Sequence, residues 1–391
     1  MIFKLAVKQL FKNKLSNIII IFQLFVILIL TLTMVSTILS RGKYFFPFKD
    51  MLDKPGVICS LTGNAESEVN KNLQEVDSSI FTYMTFFDYD NIQFQVYSYK
   101  EDYLDKVKPT ISDGNWLTES QDDKYIHAVI TENEYGIKTG DFISYEDKKI
   151  KVIGVAADNT YLYGYTSGEN GDINQDFRDL FRVYNHNYEI AEMNGSVPKV
   201  LMPYEDAKKL GLETVVYGHC IISFNEDISD KMIKQNKQAI LGMHGSIYAD
   251  NSTALKNSEK LVYNQVYLLL PIIICVFLIT AISVISVNAI TVRRQLKNYA
   301  IYNICGLSWK KCCLINLFSS IIMCLVAIIM MVISVVLTKY ISFFSQTVID
   351  FGIIQVLSCV FLIVVYLILA MIMPIIVMKN NTSKEILTSN E

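Results

Sequence analysis

Four histidines and eight cysteines are the residues of this 391-residue chain best suited to bind a metal or act as nucleophiles. His127, His186, His219 and His244 show no H-E-x-x-H or other paired-ligand spacing, so a structural part is expected of each. Cys59 and Cys220 stand apart from Cys275, Cys305, Cys312, Cys313, Cys324 and Cys359, which fall in or beside strongly apolar stretches. The first two can close a disulfide if their strands are neighbours, or sit as two small buried residues. No C-x-x-C spacing occurs, and no G-x-x-x-x-G-K-[ST] phosphate loop; GLSWKK at 306–311 carries a single glycine. No catalytic constellation stands out, so the chain is not expected to be an enzyme, to bind a cofactor or to hold a metal. What remains is VRRQLKNYAIYNICGLSWKK at 292–311, with Arg293, Arg294, Lys297, Lys310, Lys311 and no acid.

The elements around that stretch are defined by where charge is missing. Runs without Asp, Glu, Lys or Arg cover 15–40, 261–292, 312–338 and 351–378, each longer than the roughly 20 residues a helix needs to cross a bilayer. Rich in Ile, Leu, Val, Phe and Met, they predict four transmembrane helices, because a lone segment in lipid pairs its backbone groups only as helix. Lys4, Lys8, Lys12 and Lys14 precede the first run as in a signal peptide, but Ile18–Met34 is long for such a core and lacks a small-x-small cleavage site; a retained anchor is expected. The predicted organisation is an amphipathic lead-in at 1–16, spans at 17–40, 261–291, 312–338 and 352–378, a large domain at 41–260, a basic segment at 292–311, a short loop at 339–351 and a tail at 379–391.

Charge also orients the chain. Basic residues concentrate on cytoplasmic flanks, and both 1–16 and 289–311 are basic without an acid. Both termini are therefore expected in the cytoplasm and the large domain outside a cell membrane. Residues 42–260 hold 22 Lys and Arg against 35 Asp and Glu, whereas the rest of the chain holds 13 against 3. An acidic exterior and a basic membrane part together make the net charge of −3. Nothing points to nucleic acid.

Within the domain, strands are expected at 56–61, 79–87, 91–99 and 219–225, with two more joined at Glu146–Lys148 after a turn at Thr139–Asp141. Helices are expected at 67–76, after Ile130, at 203–210 ended by Gly211, and at 226–241. The outcome is a large extracellular α+β domain of two subdomains, strand–helix pairs flanking a β-rich insertion. Tyr161, Tyr163 and Tyr165 alternate along one strand before a polar loop; such a stripe either packs one face into the core or offers a contact surface to an extracellular peptide or protein.

Along 292–311 a helix puts Leu296, Ala300, Ile304 and Leu307 on one side and Arg293, Arg294, Lys297 and Asn298 elsewhere. Gly306 can close it with a left-handed cap, Ser308 can open the next helix, and Trp309-Lys310-Lys311 can anchor that helix at the headgroups. Physics alone allows two readings: an elbow that carries a push into the membrane, or a basic loop that binds anionic membrane lipid.

One span, a large domain and three more spans resembles the FtsX-like, MacB-type permeases of ABC transporters. In that family a basic stretch of the form R-x-x-x-E-[IF]-[GA]-I-x-x-x-x-G-x-S joins the second and third spans and docks on the ATPase. Arg294, Ala300, Ile301, Gly306 and Ser308 stand at the corresponding places, and YAIYNICGLSWKK looks like the version of Gram-positive members. Asn298 stands where an acid is usual, so an ion pair made there has no counterpart in this chain. LAVKQLFKNKLSNIII resembles the family's lead-in to the first span, and ITENEYGIKTGDFISYEDKKIKVIGVAAD a stretch of its exterior core domain.

The resemblance implies a permease subunit working with a separate ABC ATPase, which binds the ATP, and with a second permease, alike or different. Arg293 to Ser308, Tyr299 and Leu307 included, would take the force, and the exterior domain would expel an amphipathic cargo such as an antimicrobial peptide. A non-transporting regulator of an extracellular cell-wall hydrolase or of a signalling partner would use the same topology. The spans lack Asp, Glu, Lys, Arg and His, unlike those expected of an ion-coupled carrier.

Overall fold

The computed structural model describes residues 2–12, 14–119, 125–165, 173–185, 197–338 and 352–379. His186, the loops expected at 166–172 and 339–351 and the tail beyond 379 lie outside them. The chain forms two compact units, Gly42–Leu261 and Met1–Arg41 with Val262–Glu391.

The helical unit is built from α1 (Ile2–Lys12), α2 (Lys14–Phe45), α7 (Asn251–Ile304), α8 (Trp309–Thr338) and α9 (Ile353–Lys379). Four of these, α2 and α7–α9, are long and apolar enough to cross a membrane. Their packing follows the helical repeat. Ile20, Leu24, Leu28 and Leu32 of α2 recur every fourth residue, as do Met323, Ala327, Met331 and Val335 of α8, and both stripes join one buried cluster with Val284, Cys359, Tyr366 and Ala370. The opposite faces are just as apolar but exposed, as at Ile279, Ile282, Leu325, Ile329 and Phe361. In water that surface would be a severe liability; in lipid it is the expected one. A polar pair ties two of these helices together, Asn288 Nδ2 donating to the Ala370 carbonyl at 3.0 Å.

The other unit is a sheet domain. Its main sheet has eleven strands, nine of them in the order β13-β1-β12-β3-β4-β11-β6-β8-β5, with β2 beside β12 and β7 beside β8. The strands are β1 (Gly56–Gly63), β2 (Val76–Ile80), β3 (Tyr83–Tyr89), β4 (Ile92–Tyr99), β5 (Ile111–Gly114), β6 (Ile126–Thr131), β7 (Phe142–Tyr145), β8 (Lys148–Ala156), β11 (Lys199–Pro203), β12 (Val215–Phe224) and β13 (Ser246–Asp250). A separate pair is β9 (Thr160–Tyr163) with β10 (Phe181–Tyr184). Helices α4 (Ala65–Asn72), α5 (Tyr204–Leu210) and α6 (Asp230–Gly242) complete it, with the short α3 (Lys49–Asp53) at the entry.

Two cores account for the two expected subdomains. One gathers Val57, Leu61, Val69, Ile222 and Phe224 with Ile240 of α6. The other gathers Phe94, Val96, Ile130, Val152 and Val200 with Leu210 of α5. They share one sheet, joined where Val215 and Val216 pair Met84 and Tyr83. The neighbouring strands β1 and β13 come from opposite ends of the domain, so its two ends meet: Asn251 Nδ2 and Ser223 Oγ both donate to the Met51 carbonyl, at 3.1 and 2.9 Å, and Lys49 pairs with Glu259 at 3.0 Å.

Local expectations held where turn chemistry is explicit. The β3–β4 hairpin turns at Asp90-Asn91, both with positive φ, and Gly211 caps α5 at φ 84°. The helix expected after Ile130 is a turn instead, because the Asn133 side chain takes the backbone bonds itself: its Oδ1 accepts from Ile137 N at 3.1 Å and its Nδ2 donates to the Thr131 carbonyl at 3.0 Å. Helix α6 starts four residues later than expected, with Ser229 Oγ accepting from Met232 N at 3.3 Å as its cap.

Candidate coupling site

The basic stretch is the carboxyl end of α7, followed by a tight turn and α8. Gly306 has φ 92°, and the Leu307 amide donates to the Tyr302 carbonyl at 2.9 Å, a bond six residues wide that closes the helix as a left-handed cap does. Asn303 Nδ2 adds a bond to the Leu307 carbonyl at 3.0 Å. The Ser308 carbonyl then accepts from Lys311 and Cys312, so α8 starts at once. The segment is thus a helix, four linking residues and a helix.

Which side of α7 faces inward differs from the sequence reading. Val292, Tyr299 and Ala300 are buried, whereas Ile304 is 65% exposed and Ile301 49%. The reason is α1. This lead-in helix lays Ala6 against Val292, Tyr299, Cys312 and Ile315 in one small core, which rotates the packed stripe toward Tyr299 and leaves Ile301 and Ile304 outside. Arg293, Arg294, Lys297, Asn298, Gly306 and Ser308 are exposed and Leu307 is half-buried.

Three polar side chains lock that core. Gln9 Nε2 donates to Asn316 Oδ1 at 2.5 Å, and the Tyr299 hydroxyl lies 3.2 Å from Gln9 Oε1 and 3.4 Å from Asn316 Oδ1. All three are at least nine-tenths buried. Ser319 Oγ donates to the Ala6 carbonyl at 3.2 Å on the same side of α1. A bond between buried polar groups is worth about 1 kcal/mol, and leaving one partner unmatched costs about 1–3 kcal/mol, so the network fixes the positions of α1, α7 and α8 relative to one another. Beside it opens a cleft of about 190 Å³ lined by Lys8, Gln9, Gln295, Asn298, Tyr299 and Tyr302. Gln9 and Tyr299 therefore form one wall of a largely polar recess whose one charged lining residue is Lys8.

Sequence reasoning found the basic face and the Gly306 turn but missed Gln9 and Tyr302. The available signal was Gln9 itself, a polar residue at helical spacing from Ile2, Leu5 and Ala6 on the apolar face of α1.

The tyrosine stripe resolves toward packing. Tyr163 is fully buried, stacks on Phe48 at 5.4 Å and donates to the Ile80 carbonyl at 2.9 Å; Tyr165 is 4% exposed beside Tyr97 and Tyr184. Neither has ring surface to offer a partner, which corrects the contact reading for both. Tyr161 is half-buried, 5.0 Å from Tyr44. The cause is the chain's entry into the domain: Tyr44, Phe45 and Phe48 pack with Phe177 and Phe181 around the β9–β10 pair. Cys59 and Cys220 lie opposite each other in β1 and β12 as thiols, their sulfurs 3.3 Å apart. Among the described residues no cluster of His, Cys, Asp or Glu is built to hold a metal.

The sheet domain is similar to the periplasmic region of MacB from Actinobacillus actinomycetemcomitans, with 14% identity over 54% of this chain and 95% of that one and a TM-score of 0.28. It is also similar to the extracellular domain of the noncanonic ABC-type transporter YknZ from Gram-positive bacteria, with 11% identity over 49% of this chain and 98% of that one and a TM-score of 0.25. No protein-family model and no curated protein matches the chain.

Proposed function

We propose that the chain is the membrane subunit of an ABC transporter, with an ATPase subunit bound at the exposed basic end of α7 and a second permease beside it. The observation that carries this reading is the rigid mounting of that end. An acid-free face of Arg293, Arg294 and Lys297 projects from a helix whose inner side is pinned through Tyr299 to Gln9 and Asn316 and whose end is closed at Gly306. A loop that merely held anionic lipid would need the charges but not the mounting.

In this reading the ATPase contributes all the ATP chemistry. Its closure pushes on the basic face, and the polar network keeps α1 and α8 moving with α7 rather than letting the end bend alone. Helices cover both backbone connections between the units, Lys14–Phe45 and Asn251–Ile304, so the push has a hydrogen-bonded path toward the sheet domain. With the termini and the basic face cytoplasmic and the sheet domain extracellular, that domain does the work, expelling an amphipathic cargo such as an antimicrobial peptide.

Reconstitution with an ABC ATPase from the same genome tests the reading. The complex is expected to hydrolyse ATP faster than the ATPase alone, and Arg294→Glu with Lys297→Glu to abolish both the stimulation and the binding. Full stimulation by that double variant would refute the assignment of the face.

A further inference from the structure

The cysteine pair of the sheet domain has a geometry that its two thiols do not use. Cys59 and Cys220 sit in register, Cα opposite Cα, across an eight-residue antiparallel ladder running from Gly56↔Ser223 to Gly63↔Val216. Directly opposed residues of such a ladder lie about 4.5–5.5 Å apart, inside the range a disulfide spans. The sulfurs are already 3.3 Å apart, with both side chains fully buried. The remaining six cysteines lie in the helical unit, so this is the sheet domain's own pair.

We infer that Cys59 and Cys220 are a disulfide site that staples β1 to β12. The step is a two-electron oxidation: each thiol gives up its proton, one sulfur–sulfur bond forms, and the disulfide of a thiol–disulfide exchange partner takes the electrons and protons and leaves as two thiols. Its timing follows from burial. No solvent reaches either sulfur in the folded domain, and burial and the neighbouring Cys59 thiol hold the Cys220 thiol well above its ordinary range. Exchange needs a thiolate with access to its partner, so the bond forms while the domain folds and is shielded afterwards.

The position gives the bond a purpose. Strand β1 follows the entry at Met51 and β12 carries Ser223, the two places that Asn251 joins at the domain's ends. The staple would hold closed the part of the sheet nearest both chain connections while the rest of the domain stays free to move. This inference rests on the extracellular placement of the domain, where oxidation is available.

The test uses the full chain in two arms. Cells are quenched with an alkylating agent under denaturing conditions, and the protein is digested without reduction. The expected result is a peptide pair linked through Cys59 and Cys220, with six alkylated cysteines elsewhere. In the second arm the reduced purified protein is unfolded and refolded in a series of oxidised to reduced glutathione; the same link is expected, absent from Cys59→Ser. Failure to link in the glutathione series overturns the site. A link that forms there but is missing from cells overturns its use in the cell, and counts against the extracellular placement. Loss of ATPase stimulation with the link intact would instead fall on the coupling proposal alone.

Discussion

The Tyr299 hydroxyl lies 3.2 Å from Gln9 Oε1, joining the end of α7 to the lead-in helix across 290 residues of sequence. That bond makes the basic face part of a three-helix block instead of a free helix end. Since Asn316 Oδ1 is also 3.4 Å from the hydroxyl, one phenol holds both neighbours of α7.

Tyr299→Phe keeps the buried ring and removes the hydroxyl. Loss of about 1–2 kcal/mol is expected in thermal or denaturant unfolding of the detergent-solubilised chain. ATPase binding should persist while stimulation of hydrolysis falls, since the face remains and its mounting loosens. Tyr299→Phe with wild-type stimulation would show that the mounting is dispensable.

At Gly306 the penalty is torsional. A Cβ there would meet no atom within 4 Å, but φ is 92°. Gly306→Ala is expected to cost roughly 1–2 kcal/mol, Gly306→Asn less and Gly306→Val more. Membrane insertion should be unaffected and coupling to the ATPase reduced in the same order, read by protease protection and by ATP hydrolysis.

Ile301 offers the converse case, an apolar side chain 49% exposed on the outer face of the same helix. Ile301→Glu should change stability by no more than about 0.5 kcal/mol and yet weaken ATPase association at least tenfold in a pull-down titration. Equal affinity would remove Ile301 from the contact.

The elements that could be read from the sequence are those whose cause is local. Four charge-free runs identified the long helices, and Gly211 and Gly306 marked two helix ends because only a residue tolerant of positive φ ends a helix that way. Features that depend on long-range packing stayed hidden. The inward turn of Tyr299 is set by α1 and the burial of Tyr163 by Phe48 arriving from the entry segment; the Asn133 turn is local, but there the side chain competes with the backbone that the helical pattern counted on. Gln9 and Asn316 are 307 residues apart, and no periodicity could pair them. Cys59 and Cys220 were named as a pair on the condition that their strands adjoin, and β1 and β12 do.

The sheet domain should also lose stability in mild acid. His219 is 7% exposed, stacked 4.9 Å from Tyr248, with its Nδ1 unpartnered. Burial foremost, then nearby Arg182, lowers its pKa from 6.5 to about 4, against the Asp179 backbone bond that favours the charged form. The unfolded chain therefore takes up a proton below pH 6.5 that the folded domain refuses until about pH 4. The stabilisation is complete above pH 6.5 and is lost as pH falls toward 4, amounting to on the order of 3 kcal/mol. Denaturant midpoints measured across that range should fall in the wild type and stay flatter in His219→Gln.

Membrane polarity is the claim on which the rest depends, and lysine labelling tests it most directly. Intact cells are treated with a membrane-impermeant amine-reactive reagent and the modified lysines mapped by mass spectrometry, with permeabilised cells as reference. Lys71 and Lys234, both exposed on the sheet domain, are expected to react in intact cells, and Lys297, Lys310 and Lys311 only after permeabilisation. Modification of Lys310 and Lys311 in intact cells, with Lys71 protected, would contradict that polarity.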